Sequence, residues 1–570
     1  MGSPVLRSRS LDSSLPLIER LYRARNASPV ERDLSLKRLL SPEELPDIDR
    51  AADRLARAVV DDEGIVIVGD FDADGATSVA LAVTVLEAFG ASRVRYLVPD
   101  RFRFGYGLSP AIAELALATN PAVLVTVDNG VSSVEGVTRV QDAGVDVLVT
   151  DHHLPGDELP PAYAIVNPVL DGARFGSRAL AGVGVIYYTL LKTRQLLRTR
   201  GWFDADRGRP EPNLAEVLDL VALGTVADVV PLDFNNRVLV AQGLKRIRAG
   251  RCRPGITALL ELAKRDPSQV QASDLGYAVG PRLNAAGRLD DMSIGIQCLL
   301  ATDAREARET AERLDLLNRE RRALQQSMVA AAEQHADAVT ADPAVVGVCV
   351  YQADWHQGIV GLVAGRLKDR LHRPVVAFAP AGDESRNGAV TLKGSARSIE
   401  GLHIRDLLDG IAARHPGLIH KFGGHAMAAG LEISERHLKS FAHAFDQAAR
   451  THVGDESLVQ TVLTDGPLPA AERSLDAAQA IRAAGPWGQG FPEPLFQGRF
   501  EVLSERIVGE HHLKLVLRDG QQVLDAIAFN TRPTSAPVVE VAYRLSENAY
   551  RGAVTLQLIV EHLEALPTVA

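Results

Sequence analysis

A short acidic segment, GDFDADG, holds the first residues whose types and spacing suggest chemistry. Asp70, Asp72 and Asp74 alternate just after an apolar run, so in an extended conformation their carboxylates would project to one side. Like charges this close repel one another strongly unless a cation neutralises them. An EF-hand calcium loop is excluded, because its glutamate would stand where this sequence has Leu81 and because the segment follows a predicted strand.

More carboxylates and two imidazoles follow other apolar segments. Asp128 lies in TVDNG, His152 and His153 in TDHHLPG, and Asp228 in GTVADVVPL. Taken singly, such an aspartate is commonly a helix cap and such a histidine a turn residue. Together, these carboxylates and imidazoles without thiolates predict a site for Mg²⁺ or Mn²⁺ with two ions, whereas zinc would show more His or Cys. Two ions about 4 Å apart activate water and clamp a phosphoryl group.

These groups need a sheet that brings them to one edge. Short, nearly continuous apolar runs alternate with helical runs between Ala51 and about Leu232, and such strands are typical of a parallel sheet covered on both faces. The predicted strands are 65–69, 93–98, 122–127, 145–150 and 164–166. Since open α/β sheets bind ligands at the carboxyl ends of their strands, we expect the polar clusters to meet in one crevice.

The rest of the chain divides by pattern. The expected fold is α/β: a parallel-sheet domain joined by a long helix to a smaller α/β domain, followed by a C-terminal β-barrel of the OB type. The expected boundaries are an N-terminal polar lead-in over 1–50 with one short helix, a catalytic domain with a helical extension over 51–302, a connecting helix over 303–338, a second α/β domain over 339–454 and the barrel over 455–570.

The predicted connecting helix carries an apolar stripe. Leu314, Leu317, Leu324 and Met328 are spaced so that they share one face. Arg321 falls on the same stripe, where a charge either extends to solvent at a domain edge or points into a substrate groove.

Composition narrows the class of protein. With 570 residues, 46% of them hydrophobic and 24% charged, the chain should hold several globular domains and is neither disordered nor collagen-like. The sparse cysteines Cys252, Cys298 and Cys349 lack a CxxC pair, which argues against disulfides and favours a reducing cytoplasm. No apolar run is long enough for a membrane span. The net charge of −10 taken alone disfavours a nonspecific polyanion binder, but a total says nothing about where the positive charges lie.

The acidic motifs, taken in order with TDHHLPG, resemble the four motifs of the DHH phosphoesterase superfamily. Further segments narrow the resemblance to the RecJ family of bacterial single-stranded-DNA exonucleases: DRFRFGYGLS, GPRLNAAGRLDD, LDLLNRERR, WHQGIVGLVAGRL, GSARS and GGHAMAAG. The resemblance implies a cytoplasmic, monomeric, metal-dependent nuclease of DNA recombination and repair, which removes 5′-mononucleotides from the 5′ end of single-stranded DNA. It also implies a helicase and a single-strand-binding protein as partners.

The resemblance also assigns roles. Asp72, Asp74, Asp128, His152 and Asp228 are the expected metal ligands, and His153 is expected to stabilise charge on the scissile phosphate or to assist protonation. Some superfamily members have a histidine at the position of Val68, so Asp70 is the candidate substitute ligand.

Substrate contacts are predicted from clusters of arginine, glycine and aromatic residues. Ser395 and Arg397 suit a terminal phosphate, with Arg282 supporting them. GGHAMAAG is expected to be a turn at a helix start whose backbone N–H groups face a phosphate. The remaining predicted contacts are Tyr106, Asn284, Arg288, Arg321, Gly424 and His425.

Two alternatives remain at this point. One is a DHH phosphodiesterase or pyrophosphatase that acts on short substrates, which the extra barrel disfavours. The other is a catalytically inactive replication scaffold on the same fold, which the intact carboxylates and histidines disfavour.

Overall fold

The computed structural model describes residues 4–9, 12, 14–100, 104–105, 107–342, 344–386, 389–454, 458–509, 511–550 and 552–566. The chain divides into two compact units. The small unit combines Met1–Ser8 with Arg319–Thr464, and the large unit combines Arg9–Asn318 with Asp465–Ala570. None of the described helices combines the length and the apolar character needed to cross a membrane.

The strands, in chain order, are β1 (Val5–Ser8), β2 (Ile65–Val68), β3 (Val94–Leu97), β4 (Val123–Val127), β5 (Asp146–Thr150), β6 (Ala164–Val166), β7 (Val348–Tyr351), β8 (Val375–Arg386), β9 (Ala389–Arg397), β10 (Lys421–Gly424), β11 (Ala428–Ser434), β12 (Thr461–Thr464), β13 (Phe496–Val508), β14 (His512–Asp519), β15 (Gln522–Ala528), β16 (Val538–Tyr550) and β17 (Ala553–Ala565).

The helices are α1 (Leu17–Arg23), α2 (Ile48–Val60), α3 (Ala73–Phe89), α4 (Pro110–Leu117), α5 (Val134–Asp142), α6 (Gly182–Thr199), α7 (Leu218–Ala227), α8 (Phe234–Arg248), α9 (Pro254–Leu262), α10 (Ala272–Asp274), α11 (Gly280–Leu289), α12 (Ser293–Leu300), α13 (Ala304–Val339), α14 (Val360–Leu371), α15 (Ile404–Arg414), α16 (Leu438–His452) and α17 (Leu475–Ala483). A π-helical turn, Leu275–Val279, joins α10 to α11.

The predicted parallel sheet is confirmed in the large unit. Its strand order is β3-β2-β4-β5-β6, and neighbouring strands pair in parallel. Strands β2 and β4 are buried along their whole length, which explains their continuous apolar sequences. Val68 lies beside Thr126, and Val127 beside Thr150, so the carboxyl ends of three strands reach the same edge.

Helix α3 lies against this sheet and packs on α6 and α7. Almost all of its residues are buried, which fits its apolar composition on every side. Asp72 caps its first turn through side-chain hydrogen bonds, and Gly90, with a φ of +102°, ends it in the left-handed conformation. The acidic segment is thereby fixed at the start of a buried helix.

The C-terminal barrel is also confirmed. The five strands close in the order β13-β14-β15-β17-β16, and β13 pairs with both β14 and β16. Alternate residues of β14, namely Leu513, Leu515 and Leu517, are buried inside it, where Phe500 and Tyr543 meet edge to face. The alternation is that of a strand with one face toward a core.

The sequence predicts a polar lead-in before Ala51, and the structure adds elements to it. One short helix of this region is α1, which buries Leu21 and Tyr22 within the large unit. Strand β1 was not predicted, and it pairs in parallel with β12 in the small unit. With only four residues, β1 has too little alternation for a sequence pattern to reveal it.

The five-stranded sheet of the small unit has the strand order β10-β11-β9-β8-β7. Its strands β7 and β8 pair in parallel, and its other neighbouring strands pair antiparallel. The prediction that GGHAMAAG begins a helix is wrong. The segment connects antiparallel strands β10 and β11, and the His425 N–H donates to the Ala428 carbonyl at 2.8 Å. Gly424 has a φ of +144°, and glycine is a poor helix former but suits such a bend.

Helix α13 confirms the predicted connecting helix, but not its whole apolar stripe. Leu314, Leu317, Arg321 and Met328 are buried, whereas Leu324 is 41% exposed. Ten residues at 3.6 per turn leave Leu324 rotated by roughly 80° from Leu314, which places it at the edge of that face.

Candidate metal centre

The carboxyl edge of the parallel sheet brings the predicted metal ligands of the large unit together. Asp70 and Asp72 follow β2, Asp128 follows β4, and His152 follows β5. Asp228 ends α7 as its C-terminal cap. Asp70, Asp72, Asp128 and His152 therefore meet because parallel strands end at one edge, and Asp228 joins them from the end of a helix.

Backbone N–H groups fix the two later carboxylates of the acidic segment. One oxygen of Asp72 accepts hydrogen bonds from the N–H groups of Asp74 and Gly75, both at 3.0 Å. Asp74 accepts from the N–H groups of Gly182 at 2.6 Å and Val183 at 2.9 Å, at the start of α6. A helix N-terminus favours a negative charge, so α6 stabilises ionised Asp74.

His152 lies among three carboxylates. Its Nε2 atom is 3.1 Å from Oδ1 of Asp128, 3.5 Å from Oδ2 of Asp228 and 4.0 Å from Oδ2 of Asp74. Among the described residues, three sets each offer ligand atoms within 4.8 Å of one another. These sets are Asp70, Asp72 and Asp128; Asp74, His152 and Asp228; and Asp128, His152 and His153.

The electrostatics of the cluster call for a cation. Burial, then the charge of Asp72, raises the pKa of Asp74 to about 7. Burial and the charges of the neighbouring aspartates also raise the pKa values of Asp128 and Asp228 well above their ordinary range. Carboxyls that resist ionisation in this way would be stabilised as carboxylates by a bound divalent ion.

Asp151 and His153 form a pair beside the cluster. Nδ1 of His153 is 2.8 Å from Oδ1 of Asp151, whose other oxygen accepts from the Val131 N–H at 2.9 Å. Burial opposes protonation of His153, but the hydrogen bond and charge of Asp151 outweigh it and raise the His153 pKa. Burial would raise the pKa of Asp151, but His153 and the Val131 N–H bring it below its ordinary range.

A close backbone approach shapes the centre. A Cβ atom at Gly182 would lie 2.5 Å from the Cβ of Asp128, so a larger residue there would displace that carboxylate. Asp128 itself has a φ of +62°, a left-handed conformation that aspartate tolerates better than most residues. The strained backbone of Asp128 therefore sets the direction of its carboxylate.

Models of three domain families match the chain. They are the DHH family N-terminal domain over residues 64–225, the DHHA1 domain over 342–451 and the RecJ OB domain over 464–562. The single-stranded-DNA-specific exonuclease RecJ of Salmonella typhimurium is 51% identical over 558 residues, covering 96% of each chain. That of Escherichia coli is 50% identical over 576 residues, covering 98% of each.

The chain belongs to the RecJ family.

A solved RecJ-family structure agrees with this membership. The crystal structure of RecJ in complex with Mn²⁺ from Thermus thermophilus has a TM-score of 0.81 and 29% identity, covering 99% of this chain and 80% of that one. The same protein was also crystallised with Mg²⁺, at a TM-score of 0.75 and 27% identity, covering 99% of this chain and 79% of that one. Both metals are ions that the oxygen-rich donor set predicts.

The arginine and asparagine predicted on α11 have partners within the large unit. Arg282 is buried and pairs with Asp315 at 2.8 Å, and it donates to the Ala278 carbonyl at 2.6 Å. Oδ1 of Asn284 accepts from the Ala73 N–H at 2.7 Å, between Asp72 and Asp74. Asn284 therefore supports the acidic segment, and direct substrate contact by either residue stays a prediction. Arg288 lies half-buried on the same helix.

The other predicted contact residues lie in the small unit, except Tyr106, which is outside the described residues. Arg397 donates to Oγ of Ser395 at 2.9 Å and to the Ala396 carbonyl at 2.8 Å. Arg321 is buried on α13 and donates to Gln325 at 2.7 Å. Gly424 and His425 lie in the β10–β11 connection.

Sequence reasoning missed the start of α6. The N–H groups of Gly182 and Val183 hold Asp74, although neither side chain carries chemistry. The only signal was the run of small residues in LAGVGV, which any closely packed helix could show. The contact of Asp151 with His153 was missed as well, because the sequence alone does not show which neighbour an aspartate before two histidines would bind.

Proposed function

We propose that this protein is a metal-dependent exonuclease that degrades single-stranded DNA from its 5′ end to 5′-mononucleotides. The observation that carries the proposal is the cluster of Asp74, Asp128 and Asp228 around His152 at the carboxyl edge of the sheet. The RecJ family, the resemblance of the motifs and the C-terminal barrel support single-stranded DNA as the substrate.

The residues present fit a pair of Mn²⁺ or Mg²⁺ ions. Carboxylate oxygens dominate the donor set, the described residues of the cluster include no thiol, and the raised pKa values are those expected of carboxyls assembled for a cation. When bound, such ions activate water and neutralise charge on the phosphate. The proposed ligands are Asp70, Asp72, Asp74, Asp128, His152 and Asp228.

The chain's own groups prepare the phosphate and its protons. Asp151 holds Nδ1 of His153 and favours the protonated imidazole, which suits stabilisation of negative charge on the scissile phosphate or donation of a proton to the leaving oxygen. The Gly182 and Val183 N–H groups hold Asp74 in a fixed orientation. His153, oriented by Asp151, would therefore contact the substrate, whereas the N–H groups of α6 orient the metal ligand Asp74.

A terminal phosphate is the proposed ligand of Ser395 and Arg397. Among the described residues no carboxylate lies within ion-pair distance of Arg397, while burial alone lowers its pKa. A bound anion would neutralise the buried charge of Arg397. A guanidinium binds phosphate through paired hydrogen bonds. Arg282, Arg288, Asn284, Arg321, Gly424, His425 and Tyr106 remain proposed contacts along the strand.

The biological setting is proposed with the activity. A helicase and a single-strand-binding protein would supply and cover the strand that such an enzyme degrades, in DNA recombination and repair. The protein would work as a monomer in the reducing cytoplasm, where its cysteines stay free.

The test is digestion of one single strand that carries a label at either its 5′ or its 3′ end, with and without divalent metal. A 5′ label should appear at once as mononucleotide, whereas a 3′ label should persist in progressively shorter strands. Double-stranded DNA of the same sequence serves as the control and should be resistant. Failure to release nucleotides from the 5′ side in Mn²⁺ would overturn the proposal.

A further inference from the structure

We propose that Tyr277 is a stacking platform for a nucleobase of the single strand close to the metal centre. The inference rests on the proposed function, since it assumes that a single strand enters that centre. Tyr277 lies in the π-helical turn Leu275–Val279, within a helical stretch that runs from Ala272 to Leu289 in the large unit.

Exposure is the first argument. Tyr277 is 81% exposed, whereas Val229, another exposed large apolar residue of the large unit, reaches 61%. A tyrosine ring this exposed adds nothing to the core. An exposed ring is open to a ligand, and base–aromatic stacking is the sequence-tolerant contact that a nonspecific nuclease needs.

The second argument is the face on which the ring lies. Tyr277, Pro281, Asn284 and Arg288 keep some exposure and are spaced four, three and four residues apart, the repeat of one helical face. The residues around them are buried: Ala278, Val279, Leu283, Ala285 and Ala286. This side of the helical stretch, here called the α11 face, therefore combines an aromatic ring, a proline, an amide and a guanidinium.

The third argument is that the α11 face reaches the metal centre. Asn284, on this face, accepts a hydrogen bond from the Ala73 N–H between two proposed ligands. The turn that bears Tyr277 packs on the end of α7, because a Cβ at Gly276 would lie 3.2 Å from Val226 and one at Gly280 would lie 3.1 Å from Ala227. Asp228 follows these residues directly.

The spacing suits a strand that approaches the reacting phosphate. Seven residues separate Tyr277 from Asn284, which is roughly 10 Å along a helix that rises 1.5 Å per residue. Stacked bases rise about 3.4 Å each, so this length corresponds to roughly three nucleotides. Tyr277 would therefore hold a base a few positions from the metal centre and keep the strand in register.

The pair Tyr277→Ala and Tyr277→Phe tests the proposal, with Tyr163→Ala as the control for loss of another tyrosine of the large unit. Binding of a fluorescent oligothymidylate is measured in EDTA, so that no cleavage occurs. We expect Tyr277→Ala to weaken binding about 5- to 150-fold, which is the range for losing one stacked base. Tyr277→Phe should bind like the wild type because it keeps the ring, and Tyr163→Ala should be unchanged.

A strand with one abasic site distinguishes stacking from a structural effect. Moved through the first few positions from the 5′ end, the abasic site should weaken binding of the wild type at one position and have no further effect on Tyr277→Ala. Equal losses for both proteins at every position, or wild-type binding by Tyr277→Ala, would overturn the inference. The proposed function fails separately, if the wild type itself releases no nucleotides from single strands.

Discussion

Two regions of the large unit bury carboxylates in opposite ways. The first, here called the N-terminal region, is where the N-terminal segment packs on the residues just before the barrel. There Asp465 is fully buried and accepts two hydrogen bonds from Arg25, at 2.8 and 3.0 Å. Glu31 pairs with buried Arg237, and Glu472 with buried Arg20. In the metal centre the neighbours of Asp128 are the other aspartates and His152.

The difference shows what marks a functional carboxylate. Burial is common to both regions, but the signs of the neighbouring charges differ. An aspartate with an arginine satisfies its charge within the fold, whereas aspartates gathered together require a cation from outside. The carboxylates of the N-terminal region are therefore neutralised by the protein's own arginines, whereas those of the metal centre need a bound cation.

Substitution of Asp128 should have the largest effect on activity. Asp128→Ala removes a proposed ligand, and we expect kcat to fall by at least about 10³-fold, because bound ions supply several kcal/mol of charge stabilisation. Strand binding should be largely retained, since arginines and backbone groups carry it. Cleavage of an end-labelled strand and binding in EDTA measure the two quantities.

The same variant makes an unusual prediction for stability. Removal of one charge from a like-charged cluster should leave the metal-free protein as stable as the wild type or slightly more stable. Thermal unfolding in EDTA measures this. A large drop in Tm without metal would contradict the assignment of Asp128 to a metal site.

Substitution of Asp465 should have the opposite effect. Asp465→Ala leaves Arg25 buried without its carboxylate and removes the acceptor of the Leu495 N–H, so we expect a loss of about 3–5 kcal/mol in the free energy of unfolding. Denaturant unfolding measures the loss. The exposed pair Glu19–Arg23 provides the control, because Glu19→Ala should cost at most about 1 kcal/mol. A comparable loss in both variants would remove the contrast between the regions.

The sequence predicted the parts of this comparison unequally. The metal centre was accessible because Asp70, Asp72 and Asp128 closely follow apolar strands, and the topology of a parallel sheet brings such residues together. Asp228 ends a helix instead, and only its place in an apolar segment pointed to it. The ion pairs of the N-terminal region were not, because Arg25 and Asp465 are 440 residues apart and neither lies in a recognisable pattern. The β10–β11 connection was misassigned for a related reason, since a glycine-rich segment fits a helix start and a strand connection equally well.

The stability of the metal-free protein should depend on pH. Asp74 has a pKa of about 7 in the folded protein, and those of Asp128 and Asp228 are also raised, so between about pH 4 and 7 the folded state holds protons that the unfolded state has lost. Stability in EDTA should therefore fall as pH rises through this window, by a few kcal/mol.

Thermal unfolding at pH 5, 6, 7 and 8 measures this dependence. Asp228→Asn should reduce the slope, because it removes one of the titrating groups, and saturating Mn²⁺ should reverse it by binding the ionised carboxylates. A metal-free Tm that rises between pH 5 and 7 would contradict the electrostatics of the centre.

The smallest predicted effect concerns Arg397. The described residues place no carboxylate within ion-pair distance of its guanidinium, whereas the metal centre gathers carboxylates together. Arg397→Ala should weaken activity on 5′-phosphorylated strands about 10- to 150-fold, the equivalent of a charge-assisted hydrogen bond of roughly 1.5–3 kcal/mol, and should change activity little on strands with a 5′-hydroxyl. Because the contact acts through charge, the difference between the substrates should shrink as salt rises. Lys439→Ala, which removes a charge from α16 of the same unit, should affect both substrates alike. An equal loss for Arg397→Ala on both substrates at every salt concentration would instead make Arg397 a general contact to the DNA backbone, and the ligand that balances its charge would then be an internal phosphate.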